Sequence, residues 1–76
     1  MIEMKVSDYE LANIIAAGYY PRNWEYLGNG MFKLLVSEDR VKDYQDAIKN
    51  REFDWLGLAD ALQITNFIDM LKKGKD

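Results

Sequence analysis

Apolar and charged residues alternate at the start of the chain: Ile2, Met4 and Val6 are apolar, while Glu3 and Lys5 between them are charged. A period of two marks a strand with one buried face. Ser7 opens a different period. With Glu10 three residues later it makes a capping-box pattern, and Val6 and Leu11 are placed as a hydrophobic staple. The helix that follows carries Leu11, Ile14 and Ile15 on its buried stripe. Gly18 stands where a left-handed C-terminal residue is wanted, and Pro21 blocks any helical continuation.

Residues 23–36 predict a β-hairpin, because Gly28, Asn29 and Gly30 tolerate the positive φ of a tight turn. A two-residue loop would pair Leu27 with Phe32 and Glu25 with Leu34, mixing apolar and charged positions. A three-residue loop, with Gly30 left-handed, pairs Glu25 with Lys33 and Tyr26 with Phe32. Trp24, Tyr26, Phe32, Leu34 and Val36 then share one face. A one-residue slip turns that whole set over, so the second register is expected. It leaves Leu27, Met31 and Leu35 on the outer face.

Ser37 is expected to cap the next helix, whose apolar stripe is Val41, Tyr44, Ala47 and Ile48, with Asn50 at its end. Beyond residue 54 the period is helical but has two phases. At about 100° per residue, Trp55, Leu58, Ala59 and Leu62 point one way, and Ile64, Phe67, Ile68 and Leu71 point roughly the other. Two short helices over 54–63 and 65–73 follow from this, capped by Asp54 and Thr65 and ended by Gly74.

These elements define an α+β fold in one domain, residues 1–76, in the order β-α-β-β-α-α-α. A small three-stranded, mostly antiparallel sheet, made of the N-terminal strand and the 23–36 hairpin, is covered by three or four helices. Its expected core is Ile2, Met4, Val6, Leu11, Ile14, Ile15, Trp24, Tyr26, Phe32, Leu34, Val36, Val41, Tyr44, Ile48, Leu58, Leu62, Phe67 and Leu71.

Composition narrows the chemistry. The chain contains neither cysteine nor histidine, which removes thiol chemistry, the commonest general base and the commonest metal ligand. No glycine-rich phosphate loop precedes a helix, and Ser7, Ser37 and Thr65 are all used as caps. The expectation is a non-enzymatic protein with no cofactor and no metal site. Asp39, Asp43 and Asp46 fall on one side of their helix with Arg40 and Lys42 nearby, as a solvated face would. Net charge is −3, and the only cationic cluster is Lys72, Lys73 and Lys75, so a basic nucleic-acid surface is not expected. No apolar run approaches about 18 residues and no signal peptide starts the chain, so a soluble, cytoplasmic protein without membrane contact is expected.

What the core does not absorb is aromatic. Tyr19, Tyr20, Arg22 and Trp24 have the composition of an interface hot spot and form the first candidate contact surface. Leu27, Met31 and Leu35 form the second, either for a foreign protein or for a homodimer paired across a two-fold axis. A protein-binding module is the function this inventory suits.

Two resemblances accompany that reading. Leu58, Ala59 and Leu62, then Gln63, Ile64 and Thr65, then Lys73, Gly74 and Lys75, resemble the helix-turn-helix of phage-repressor-type regulators. That family opens its first helix with Leu-Ala, turns at a Leu-Gly-Val-Ser-like segment and ends its recognition helix in a charged residue, Gly and Lys. The likeness covers about a quarter of the chain and implies a DNA-binding regulator using residues 54–73. Gln63 stands where the family has glycine, and Asn66 and Asp69 occupy the positions that would face the bases. In size and acidity the chain is also similar in kind to small phage or mobile-element accessory proteins, including anti-CRISPR inhibitors of host defence. That likeness implies an inhibitor that occupies a partner surface.

Overall fold

The most apolar strand segment, Met31–Val36, becomes the middle of the sheet, because only a central strand buries apolar side chains against neighbours on both sides. A computed structural model describes residues 1–74. Its elements are β1 (Ile2–Ser7), α1 (Asp8–Ala16), β2 (Asn23–Gly28), β3 (Met31–Val36), α2 (Glu38–Lys49), a 3-10 turn at Glu52–Trp55, and α3 (Leu58–Lys73). The α+β class and the element order are those the pattern predicts. Both strand pairings are antiparallel, in the order β1-β3-β2.

The helices cover one face. Val6, Phe32, Leu34 and Val36 meet Leu11, Ile14 and Ile15 of α1, Tyr44 of α2 and Ile68 of α3. Helix α1 packs against α2, α3, the 3-10 turn and the sheet, so it is the hub of the helical layer. Its start is the capping box in full. The Ser7 hydroxyl accepts from the Glu10 N–H at 3.1 Å, and the Glu10 carboxylate accepts from the Ser7 N–H at 2.8 Å.

The hairpin adopts the expected register by another route. Glu25 pairs with Lys33 and Tyr26 with Phe32, yet Gly28 pairs with Met31, so the loop is only Asn29 and Gly30. Both have positive φ, 56° and 76°, as a two-residue hairpin loop of the Asn-Gly type requires. The extra residue sits in β2 instead, as a bulge between Tyr26 and Gly28. Facial burial sets the register, turn chemistry sets the loop, and the bulge reconciles the two. Replacing Gly30 by alanine should cost about 1 kcal/mol, the strain of a left-handed L-residue. The added Cβ would meet Asp8 Oδ2 at an ordinary 3.4 Å, so crowding adds little. Urea unfolding checks this, and an unchanged midpoint would mean that the turn relaxes freely.

The C-terminal third departs from expectation. Residues 58–73 form one helix with no break near Gln63, and the interruption lies earlier, at Leu56 and Gly57. Gly57, in extended conformation, occupies the N-cap position. Thr65 therefore caps nothing; its hydroxyl donates to the Ala61 carbonyl one turn back, at 2.9 Å. Asp54 is no cap either: it lies in the 3-10 turn and accepts from the Tyr9 hydroxyl at 2.7 Å. Ser37 takes its predicted N-cap position, but its side chain makes no capping bond.

The core list changes accordingly. Leu58 and Leu62 lie in solvent, Ile2 and Phe67 stay more than a third exposed at the rim, and Ile68 is the residue of α3 that α1 and the sheet bury. Lys75, part of the helix-turn-helix resemblance, lies outside the described residues.

Candidate functional site

A 16-residue helix with two apolar directions can bury only one of them against a small sheet. On α3 the buried direction is Ile64, Ile68 and Leu71, which reach the core. The other direction carries Leu58 and Leu62, one turn apart, at 77% and 53% exposure. Trp55, three residues ahead of the helix, is 81% exposed. Its indole N–H donates to the Asn50 carbonyl at 3.1 Å, which ties the ring to the end of α2 and leaves its faces open. Met70, also exposed, extends the apolar content toward the far end of the helix.

The base of this surface is held rigidly. Asn13, fully buried in α1, accepts from the Phe53 N–H at 2.8 Å and donates to the Tyr9 carbonyl at 3.1 Å. The Tyr9 ring meets Phe53 edge-on at 6.2 Å, and its hydroxyl bonds Asp54. That bond to a carboxylate raises the Tyr9 pKa above its ordinary value, with desolvation adding to it. At the other end of α3, Lys72 reaches Asp8 at 3.2 Å and lies 5.9 Å from the Tyr26 ring. The Asp8 bond holds the Lys72 pKa above its usual value.

The first candidate set divides. Tyr19 is half-buried between the Tyr44 ring, 5.6 Å away, and the Arg40 guanidinium, 5.5 Å away. Trp24 is also half-buried, against Phe32. These two close the core. Tyr20 and Arg22 point outward, Tyr20 resting edge-on against Phe67 of α3 at 6.0 Å. An open cleft of about 610 Å³ follows the outer edge of β2, lined by Arg22, Trp24, Tyr26, Glu25, Lys33 and Lys72 among others.

The second set lies on the uncovered face of the sheet. Leu27 and Leu35 are exposed and Met31 is half-buried. Lys33 stands between Met31 and Leu35 on β3 and holds Glu25 at 3.1 Å, so charge interrupts the apolar row. The Glu25 bond raises the Lys33 pKa.

Trp55, Leu58 and Leu62 were legible as a cluster but not as a surface. Their common direction is plain in the sequence; reading it as a break in the helix, rather than as a second apolar face, assigned Leu58 and Leu62 to the core. Among the described residues no group of three or more carboxylates is placed to hold a metal ion. Among these residues no helix is long and apolar enough to cross a membrane. Comparison with known protein families, curated proteins and solved structures finds no match to this chain.

Proposed function

We propose that the chain is a non-enzymatic protein-binding module that acts by inserting the outward side of α3 into an apolar groove of a partner protein. The observation that carries this is the exposure of Leu58 and Leu62 on a helix otherwise anchored to the core, with exposed Trp55 in the 3-10 turn just ahead of it. Leu58 and Leu62 stand at i, i+4, an anchor spacing of a helix seated in a groove. Burying a leucine contributes roughly 1.5–3 kcal/mol, and a tryptophan is the side chain most enriched at interface hot spots. Tyr20 and Arg22, with the cleft along β2, lie beside Phe67 and Lys72, toward the other end of α3 from Leu58.

Nucleic acid fits less well. The continuous helix lacks the turn that the repressor-type resemblance requires, its exposed side carries Asp69, and the chain is acidic. The row formed by Leu27, Met31 and Leu35 serves as a secondary contact.

The test compares immobilised wild type with a Leu58→Ser, Leu62→Ser variant in nuclease-treated native lysate. Wild type should retain a stoichiometric protein that the variant loses at least tenfold. The variant should fold with stability within about 0.5 kcal/mol of wild type, since both side chains are exposed. Equal recovery by both proteins, or recovery of nucleic acid alone from untreated lysate, would sink the proposal.

A further inference from the structure

We propose that the free edge of β1 is a self-association surface, on which two copies of the chain pair β1 with β1 antiparallel about Met4. The result is one continuous sheet of six strands from two sheets of three. The inference is independent of the α3 surface.

β1 has a strand neighbour on one side only, β3, and its other edge offers unpaired backbone N–H and C=O groups. Pairing about Met4 sets Ile2 of each copy opposite Val6 of the other on the core side. On the outer side it sets Glu3 opposite Lys5, twice, by symmetry. A two-fold interface must be self-complementary, and this segment is so in both apolar and charged positions.

The charge on Lys5 lacks a counterion among the described residues. Lys5 lies directly across from Lys33 in the β1–β3 register, a like-charge pair. Lys33 has Glu25 at 3.1 Å, whereas among the described residues no carboxylate comes within 4.0 Å of the Lys5 ammonium. The Glu3 carboxylate of a second copy would supply one. Charged side chains often guard edge strands against pairing. A guard repels its own copy, however, and opposite signs placed symmetrically about Met4 attract it.

The other edge behaves differently. Pairing β2 with itself about Glu25 sets carboxylate against carboxylate, and the bulge between Tyr26 and Gly28 breaks the ladder. Self-association therefore closes at two copies and does not run on into a fibre.

One strand edge is a small interface, so the dimer is weak and concentration-dependent. Sedimentation velocity from about 10 μM to 1 mM, a span that brackets weak association, should show reversible monomer–dimer exchange. Glu3→Lys and Lys5→Glu, each alone, should weaken it at least tenfold by setting like charges opposite. The double variant E3K/K5E should restore it, and an equimolar mixture of the two single variants should form a heterodimer. The Leu58→Ser, Leu62→Ser variant should dimerise as wild type does. A wild type that stays monomeric throughout overturns the proposal. So do single variants that dimerise normally, or a double variant that fails to recover.

Discussion

Truncating Phe32 to alanine should leave the chain largely unfolded at 37 °C. Phe32 is fully buried in the central strand, opposite Val6 of β1 and Tyr26 of β2. The Tyr26 ring lies 4.9 Å away and Trp24 6.2 Å away, so the loss opens a cavity under two aromatic contacts at once. Phe→Ala in a core costs about 3–5 kcal/mol. A chain of this size has a total stability of about 4–11 kcal/mol, with small domains near the low end. The deletion therefore removes most of what holds the fold. Urea unfolding followed by circular dichroism measures this directly. A loss below about 1 kcal/mol would mean that the sheet and helices meet elsewhere than at Phe32.

The second largest effect is expected at Asn13, the buried polar residue of the core. It satisfies the Phe53 N–H and holds the Tyr9 carbonyl, joining positions forty residues apart in the chain. Asn13→Leu keeps similar bulk but strands the Phe53 N–H, at a cost of about 1–3 kcal/mol. The more telling readout is local. The 3-10 turn should loosen before the rest, so amide exchange should accelerate at Phe53 and Asp54 while the β3 amides stay protected under mild conditions. If the partner docks on Trp55 and Leu58, binding should weaken in Asn13→Leu beyond what the loss of stability explains. Uniform acceleration across the molecule would assign Asn13 a purely global role.

The fold was largely readable because its signals are local. Ser7 with Glu10, and Gly18, act over three or four residues and took their predicted places, while the Gly28–Gly30 turn fell where expected but with a two-residue loop instead of three. The hairpin register followed from facial consistency alone, although the bulge that permits it has no local signature. The C-terminal third was misread because two opposed apolar directions admit two explanations. A break turns both inward, whereas a single helix exposes one. Thr65 suggested the break, but mid-helix it can satisfy its hydroxyl on the Ala61 carbonyl and needs no turn. Asn13 could not be found at all: its partners are the Phe53 amide, which no pattern places beside it, and a backbone carbonyl one turn back. The candidate surface was thus legible as residues and hidden as geometry.

The position of β3 between β1 and β2 has a consequence for how the chain is made. Residues 2–7 pair with residues 31–36, so the first strand emerges from the ribosome long before its partner exists. Until then α1 has no sheet to cover, and Leu11, Ile14 and Ile15 stay open to water or to chaperones. Sheet and first helix must form together once β3 is free, since β2 alone offers β1 nothing to pair with. Synthesis stopped anywhere before residue 36 would yield no stable fragment. By contrast α3, made after α1 and β2, settles on elements that are already in place.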